Sequence, residues 1–326
     1  MRHGAKWAGV PRSSEIASEG TSMNDNQRRA DTAPYWNSAV EVTGPRRSDH
    51  RRASDTRNTS ELISAYLRTS DDTEAADLIT TIQYRGGAEE FRAGLALLTS
   101  KDFRERAAGA EILGQLGWQD RTFLEESVNA LLGALIDTDD HHVLQSVIFA
   151  LGHRADPRAI EVLLPFVDNP SADIRYAAVH GLMPHDVPNV VAAVAKLARD
   201  SDRDVSNWAT FTLGSQFESK SPMLCAALQE RVSDSDPEIR GEALLGLARR
   251  GDVSIVPVVQ LELDGEFHGD WAVEAAGLLT DPGFLPALKG LLVRLKGEDV
   301  VYFRGSIESA IAACEGRRVH ESPSLQ

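Results

Sequence analysis

The stretch Asp236-Pro237-Glu238-Ile239-Arg240-Gly241-Glu242-Ala243-Leu244-Leu245-Gly246-Leu247 decides the fold. An aspartate stands three residues before a β-branched residue, and a leucine follows that residue by eight. The aspartate oxygen can accept from first-turn N–H groups, which makes it a helix N-cap. Proline fits the first helical position because its missing N–H has no helical partner there. Glu238 then places a negative charge against the positive end of the helix dipole.

The same frame recurs along the chain. Val143-Leu151, Ile174-Leu182 and Val205-Leu213 repeat the spacing, with Asp140, Ser171 and Asp202 at the cap position. The leucines at 151, 182, 213, 247 and 278 step by 31, 31, 34 and 31 residues. A fixed step of this size means one supersecondary unit stacked on copies of itself. Asp156-Pro157, Ser221-Pro222 and Asp281-Pro282 start first helices with the same grammar. The expectation is an all-α fold, a right-handed α-solenoid of stacked antiparallel helix pairs of the armadillo type. Helices are predicted near 60–68 and 72–84, 88–99 and 102–116, 122–136 and 141–152, 157–167 and 172–183, 188–199 and 203–214, 222–232 and 237–249, 252–263 and 268–279, and 282–296 and 299–314.

Four segments follow. Residues 1–57 are rich in Ser, Asp, Asn, Arg, Gly and Pro, without apolar periodicity, and read as a disordered arm. They hold ten Lys/Arg against seven Asp/Glu, about +3, which leaves about −18 of the formal −15 to the rest. Met23 is a candidate start, which would make residues 1–22 an upstream extension; N-terminal sequencing that finds Met1 or Arg2 would overturn this. Residues 58–87 read as capping helices, 88–314 as the repeat array, and 315–326 as a polar tail.

The second helices resemble those of HEAT repeats, more narrowly the phycobilisome-lyase HEAT-like type, which read roughly Asp-Pro-x-Val-Arg-x-x-Ala-x-x-Ala-Leu-Gly. Asp236 to Leu247 is a near match. Ser171 to Leu182 keeps Ile174, Arg175, Ala178 and Gly181. Asp202 to Gly214 has Ser206 for the arginine, Asp140 to Gly152 has Leu144, and the pair near 270–279 is degenerate. The resemblance covers about residues 88–314 and implies fold more than activity, because such arrays serve unrelated functions.

Enzymatic relatives each imply a signature. Deoxyhypusine hydroxylase-like proteins bind two irons through repeated His-Glu pairs. Here the one His-Glu is His320-Glu321 in the tail, and His141, His142, His153, His180, His185 and His268 have no glutamate after them. His141 and His142 read as a solvated helix end, and His153 and His185 as surface histidines. No bilin site is identifiable. HEAT-like alkylpurine DNA glycosylases use a basic surface, and a charge near −18 argues against grasping phosphates of nucleic acid. No catalytic motif, metal site or cofactor is expected. Cys225 and Cys314 lie far apart, which reads as reduced thiols of a cytoplasmic protein. No apolar run reaches the length of a membrane span, and no apolar stretch after Met1 suggests a secretory signal.

Second helices of HEAT arrays line the concave face. Six residues beyond the β-branched position lie Phe149, His180, Phe211 and Leu245. Two beyond it lie Gln145, Tyr176 and Asn207, and three beyond it Trp208. An exposed line this apolar marks a binding groove, unless inter-repeat curvature buries the rings. Arg175 and Arg240 read as inter-repeat ion-pair donors to caps such as Asp202. The leading reading is a non-catalytic scaffold that binds a peptide or helix of another protein, with basic features to suit the acidic array. Second comes a lyase-like or oxidoreductase-like HEAT enzyme, and third nucleic-acid binding through the basic arm.

Overall fold

The computed structural model describes residues 55–265, 270–295 and 298–316, with side chains in the last helix from residue 303. Most of the 1–57 arm, His268 and the tail beyond residue 316 lie outside the described residues. What is described is helical, with no strand. It divides into two compact units, which meet in sequence between His185 and Asp186.

The first unit holds α1 (Thr59–Arg68), α2 (Asp72–Arg85), α3 (Ala88–Leu98), α4 (Phe103–Gln115), α5 (Leu124–Ile136), α6 (His141–Arg154), α7 (Ala159–Leu163) and α8 (Ala172–Leu182). Second helices α4, α6 and α8 pack in succession, and α3, α5 and α7 each lie against one of them. Leu62, Leu78, Ile79 and Ile82 of the two N-terminal helices form one apolar cluster with Ile112 and Leu116. The second unit repeats the plan. Its second helices are α10 (Arg203–Phe211), α12 (Pro237–Arg249), α14 (Trp271–Leu279) and α16 (Glu298–Cys314). Its first helices are α9 (Pro188–Leu197), α11 (Pro222–Gln229), α13 (Val256–Asp264) and α15 (Leu285–Arg294).

The caps explain the starts. Asp140 accepts from the N–H groups of His142 and Val143, Asp202 from Asp204 and Val205, and Asp236 from Glu238 and Ile239. Ser171 is the exception: its hydroxyl makes no capping bond, and Asn169 Oδ1 instead accepts from the Ser171 N–H. The leucines of the frame at 151, 182, 213 and 247 are fully buried. Leu278 is not: it is 49% exposed, and Val273 and Ala276 fill the core of α14. The fourth step therefore keeps the spacing and loses the packing.

Neighbouring second helices touch through backbone. A Cβ on Gly246 would stand 2.4 Å from Gly214 Cα, and one on Gly152 2.7 Å from the His180 carbonyl oxygen. The predicted helix over 157–167 breaks into α7 and a 3-10 turn, Leu164–Asp168. Pro165 supplies no N–H to that ladder, and its ring crowds the carbonyl one turn back. The predicted helix over 203–214 ends at Phe211 and opens into a π-helical turn, Thr212–Gln216. Thr210 and Thr212 donate their hydroxyls to the carbonyls of Ser206 and Trp208, and the Phe217 N–H reaches five residues back to Thr212. Hydroxyls bonded to the preceding turn loosen a helix in this way.

The 34-residue step also finds its place. Leu151 to Pro157 and Leu182 to Pro188 are six residues each, whereas Leu213 to Pro222 is nine. The three extra residues lie in the connection that follows the π turn. Asp186 accepts from the backbone N–H groups of Glu218 and Ser219 at 2.8 and 2.7 Å, and Arg250 bonds the carbonyls of Phe217 and Ser219.

Candidate protein-binding surface

The aromatic residues of the second helices fall into one cluster in each unit. In the first unit, Phe149 of α6 meets Tyr176 and His180 of α8 at ring-centroid distances of 6.0 and 5.0 Å, and Tyr176 meets His180 at 4.7 Å. The expected exposed line fails here. Phe149 and Tyr176 are buried, as is Gln145, whose amide donates to the Asp173 carbonyl at 3.4 Å. His180 is half-buried with Nε2 shut off from solvent. Large rings wedge between α6 and α8 because burying their area outweighs leaving it in water.

In the second unit, Leu245 is buried, but Asn207, Trp208 and Phe211 of α10 are only half-buried. Trp208 and Phe211, one helical turn apart, pack edge to face at 5.3 Å. Such a contact adds about 1 kcal/mol beyond area burial. Asn207 donates to Glu238 Oε2 at 3.0 Å, Asp204 lies one turn before Trp208, and Glu242 of α12 accepts from Trp271 Nε1 at 2.7 Å. The pair thus sits among carboxylates, at the point where α10 opens into its π turn.

The predicted arginine contacts are redistributed. Arg240 pairs with Glu262 of the next first helix at 2.7 Å, not with a cap, and Arg175 bonds the carbonyls of Asn169 and Pro170 in its own turn. Arg203 makes the inter-repeat link to a cap, reaching Asp236 at 2.5 Å and Glu238 at 2.8 Å.

The histidines meet expectation only in part. His141 is exposed, and His142 lies edge-on to Phe103 at 5.7 Å. His153 is half-buried. Its Nε2 lies 3.2 Å from Gln115 Nε2, so the amide donates and the ring proton sits on Nδ1. Burial, with the Arg154 charge added, lowers its pKa to about 4. Burial and the neighbouring His153 lower that of His180 to about 3. His185 is buried and its pKa is lowered by the same desolvation. Rings held neutral could ligate a metal, but no group of three or more His, Cys, Asp or Glu residues suited to a metal occurs among the described residues.

Two arginines, one fully buried and one half-buried, escaped the sequence reading. Arg154 is 1% exposed, and its guanidinium bonds the carbonyls of Leu113 and Leu116 and the Ser127 hydroxyl. Arg250 bonds the carbonyls of Leu213, Gly214 and Phe217 in the same manner. The signal was present: each stands three residues after a frame leucine, Leu151 and Leu247.

Among the described residues no helix is long and apolar enough to cross a membrane. A family model of HEAT repeats matches residues 93–183 and, overlapping them, 128–214. Protein YibA of Escherichia coli is 25% identical over 231 residues, which cover 68% of this chain and 80% of YibA. The X-ray structure of YibA aligns at TM-score 0.61 and 23% identity over 82% of this chain and 95% of that one, a likeness of fold. The phycocyanin lyase CpcE–CpcF complex of Nostoc sp. aligns at TM-score 0.42 and 15% identity, over 80% of this chain and 96% of that one. This likeness is too distant to carry chemistry. The helix pairs between residues 93 and 214 are HEAT repeats, the family whose second-helix grammar the chain displays.

Proposed function

We propose that this protein is a non-catalytic, cytoplasmic scaffold that binds a peptide or helix of another protein through Asn207, Trp208 and Phe211. The observation that carries this reading is the half-buried Trp208–Phe211 pair, set edge to face among carboxylates beside a π turn. Aromatic anchors of this kind supply most of the energy of an interface, and helical π turns collect at functional sites. Asp204 and Glu238 beside the pair favour a partner that joins an apolar anchor to basic residues. The unpaired thiols Cys225 and Cys314 suit a reducing compartment. Phe149, Tyr176, Gln145 and Leu245 drop out of the contact surface, because they are buried.

A photo-crosslinking residue placed at Asn207, and in a second preparation at the exposed Val253, tests the surface. Capture of one protein from 207 and not from 253 is expected. The Trp208→Ala/Phe211→Ala variant should then bind that protein at least about tenfold more weakly, a loss of about 1.4 kcal/mol, with helicity unchanged. Should the double variant unfold, Asn207→Arg provides the charge test and should weaken a basic partner. Equal capture at both positions, or full affinity in the variants, overturns the proposal.

A further inference from the structure

Three second helices of the second unit share one face. Trp208 and Phe211 of α10 lie one turn apart, and Ser215 follows one turn on, its hydroxyl donating to Glu242 Oε2 of α12 at 2.9 Å. Glu242 also accepts from Trp271 Nε1 of α14 at 2.7 Å. The Trp271 ring lies over the α12 backbone, since a Cβ on Gly241 would stand 2.6 Å from it. Asn207 ties α10 to α12 through Glu238 at 3.0 Å. Trp208, Phe211 and Trp271, all half-buried, thus stand on a single face with Glu238 and Glu242 between them.

These helices are negative. With the residues that start them, α10, α12 and α14 hold seven carboxylates and three arginines between 202–211, 236–249 and 270–279. Arg203 is held by Asp236 and Glu238, and Arg240 by Glu262 of a first helix. An occupant that suits the face brings aromatic rings and arginines in one short segment. Rings bury area against tryptophan, and a guanidinium both pairs with carboxylates and stacks on ring faces.

The chain contains such a segment. Residues 1–57 carry about +3 against about −18 elsewhere, and their aromatic residues are Trp7, Tyr35 and Trp36. Arg28-Arg29-Ala30-Asp31-Thr32-Ala33-Pro34-Tyr35-Trp36 joins two arginines to two rings, whereas Arg46-Arg47 and Arg51-Arg52 have no aromatic residue beside them. A start at Met23 would keep this segment and remove Trp7. We infer that Arg28–Trp36 of the same chain occupies the Trp208–Phe211–Trp271 face as a built-in competitor for the partner. The inference rests on the reading of that face as a protein-binding surface. Nineteen residues from Trp36 to Asp55 reach up to about 60 Å when extended, and a tethered segment competes at a local concentration near millimolar. A segment seated nine-tenths of the time weakens the partner's apparent affinity about tenfold.

The test uses the full chain, purified alone, with the photo-crosslinking residue at Asn207. A crosslink into residues 26–38 is expected, with a yield that holds on about tenfold dilution. No such crosslink, or one that fades on dilution and so comes from a second copy, overturns the inference. In parallel, a fluorescein-labelled peptide of residues 26–38 is titrated by anisotropy with wild type and with Arg28→Glu/Arg29→Glu/Trp36→Ala, which alters only residues outside the described fold. The variant should bind the peptide about tenfold more tightly than wild type, because its own segment has left the face. Adding Asn207→Arg to the variant should reverse that gain. Equal affinities, or no binding to the variant, overturn the inference. A foreign protein captured from 207 without any crosslink into 26–38 removes this inference and keeps the scaffold reading. A crosslink into 26–38, with no foreign protein captured even by the variant, removes the scaffold reading and keeps the intramolecular contact.

Discussion

Arg154 Nε donates to the main-chain carbonyl of Leu113 at 2.6 Å, so the end of one second helix closes the end of the one before it. Arg250 does the same for Leu213 at 2.9 Å. Last-turn carbonyls have no partner within their own helix, and here a guanidinium from the next second helix supplies one. His185, three residues after Leu182, occupies the corresponding place after α8. The end of α6 needs no such donor, because Ala155 in the left-handed conformation returns its N–H to Leu151 and Gly152.

Arg154→Met should therefore lower stability by about 3 kcal/mol, since carbonyls left unpaired in the interior lose their solvation as well. Urea unfolding followed by circular dichroism would measure this. A loss below about 1 kcal/mol would mean that water replaces the arginine.

Glu111 makes stability depend on pH. Tyr66 donates its hydroxyl to this carboxyl at 2.5 Å, and burial raises the pKa of Glu111 from 4.5 to about 7. A carboxyl whose folded value lies above its unfolded value contributes fully below pH 4.5 and loses that contribution as pH rises through 7. Glu111→Gln keeps an acceptor for Tyr66 and removes the charge. It should gain roughly 2 kcal/mol on wild type at pH 8, with the gain shrinking below pH 5. A gain that does not vary with pH would contradict this origin.

His153 and His180 act in the opposite direction. Their folded values, about 4 and about 3, lie below the ordinary 6.5. Their contribution is complete above pH 6.5 and is lost as pH falls through 4 and then 3. The urea midpoint should fall between pH 6.5 and 4, and His153→Gln/His180→Gln should flatten that slope. A slope unchanged in the double variant would assign it to other groups.

Two glycines should respond with opposite sign to alanine. A Cβ on Gly246 meets Gly214 Cα at 2.4 Å, whereas one on Gly133, exposed within α5, meets nothing within 4 Å. Gly246→Ala should cost about 2 kcal/mol or more through overpacking. Gly133→Ala should gain roughly 0.5–1 kcal/mol from helix propensity. Melting temperatures of the two variants would check both, and a stable Gly246→Ala would mean that the helices slide apart freely.

Helix starts, repeat spacing and core leucines were legible because they depend on local chemistry and on a 3.6-residue period. An aspartate cap finds its N–H groups within three residues, so Asp140, Asp202 and Asp236 needed no tertiary information. Ser171 escaped because Asn169 competes for the same turn. Leu278 escaped because the spacing records a position on a helix and not what packs against it. The π turn after Phe211 follows from two threonine hydroxyls whose rotamers depend on packing.

By itself, the sequence determined that this chain is a series of stacked helix pairs, HEAT repeats between residues 93 and 214, with a three-residue insertion after the third frame leucine. Tertiary structure alone decided which aromatic residues reach solvent. Phe149 and Tyr176 occupy frame positions like those of Phe211 and Asn207, yet the first two are buried and the second two half-exposed. Exposure is set by how closely the neighbouring helix approaches, a long-range property that no residue carries within its own turn.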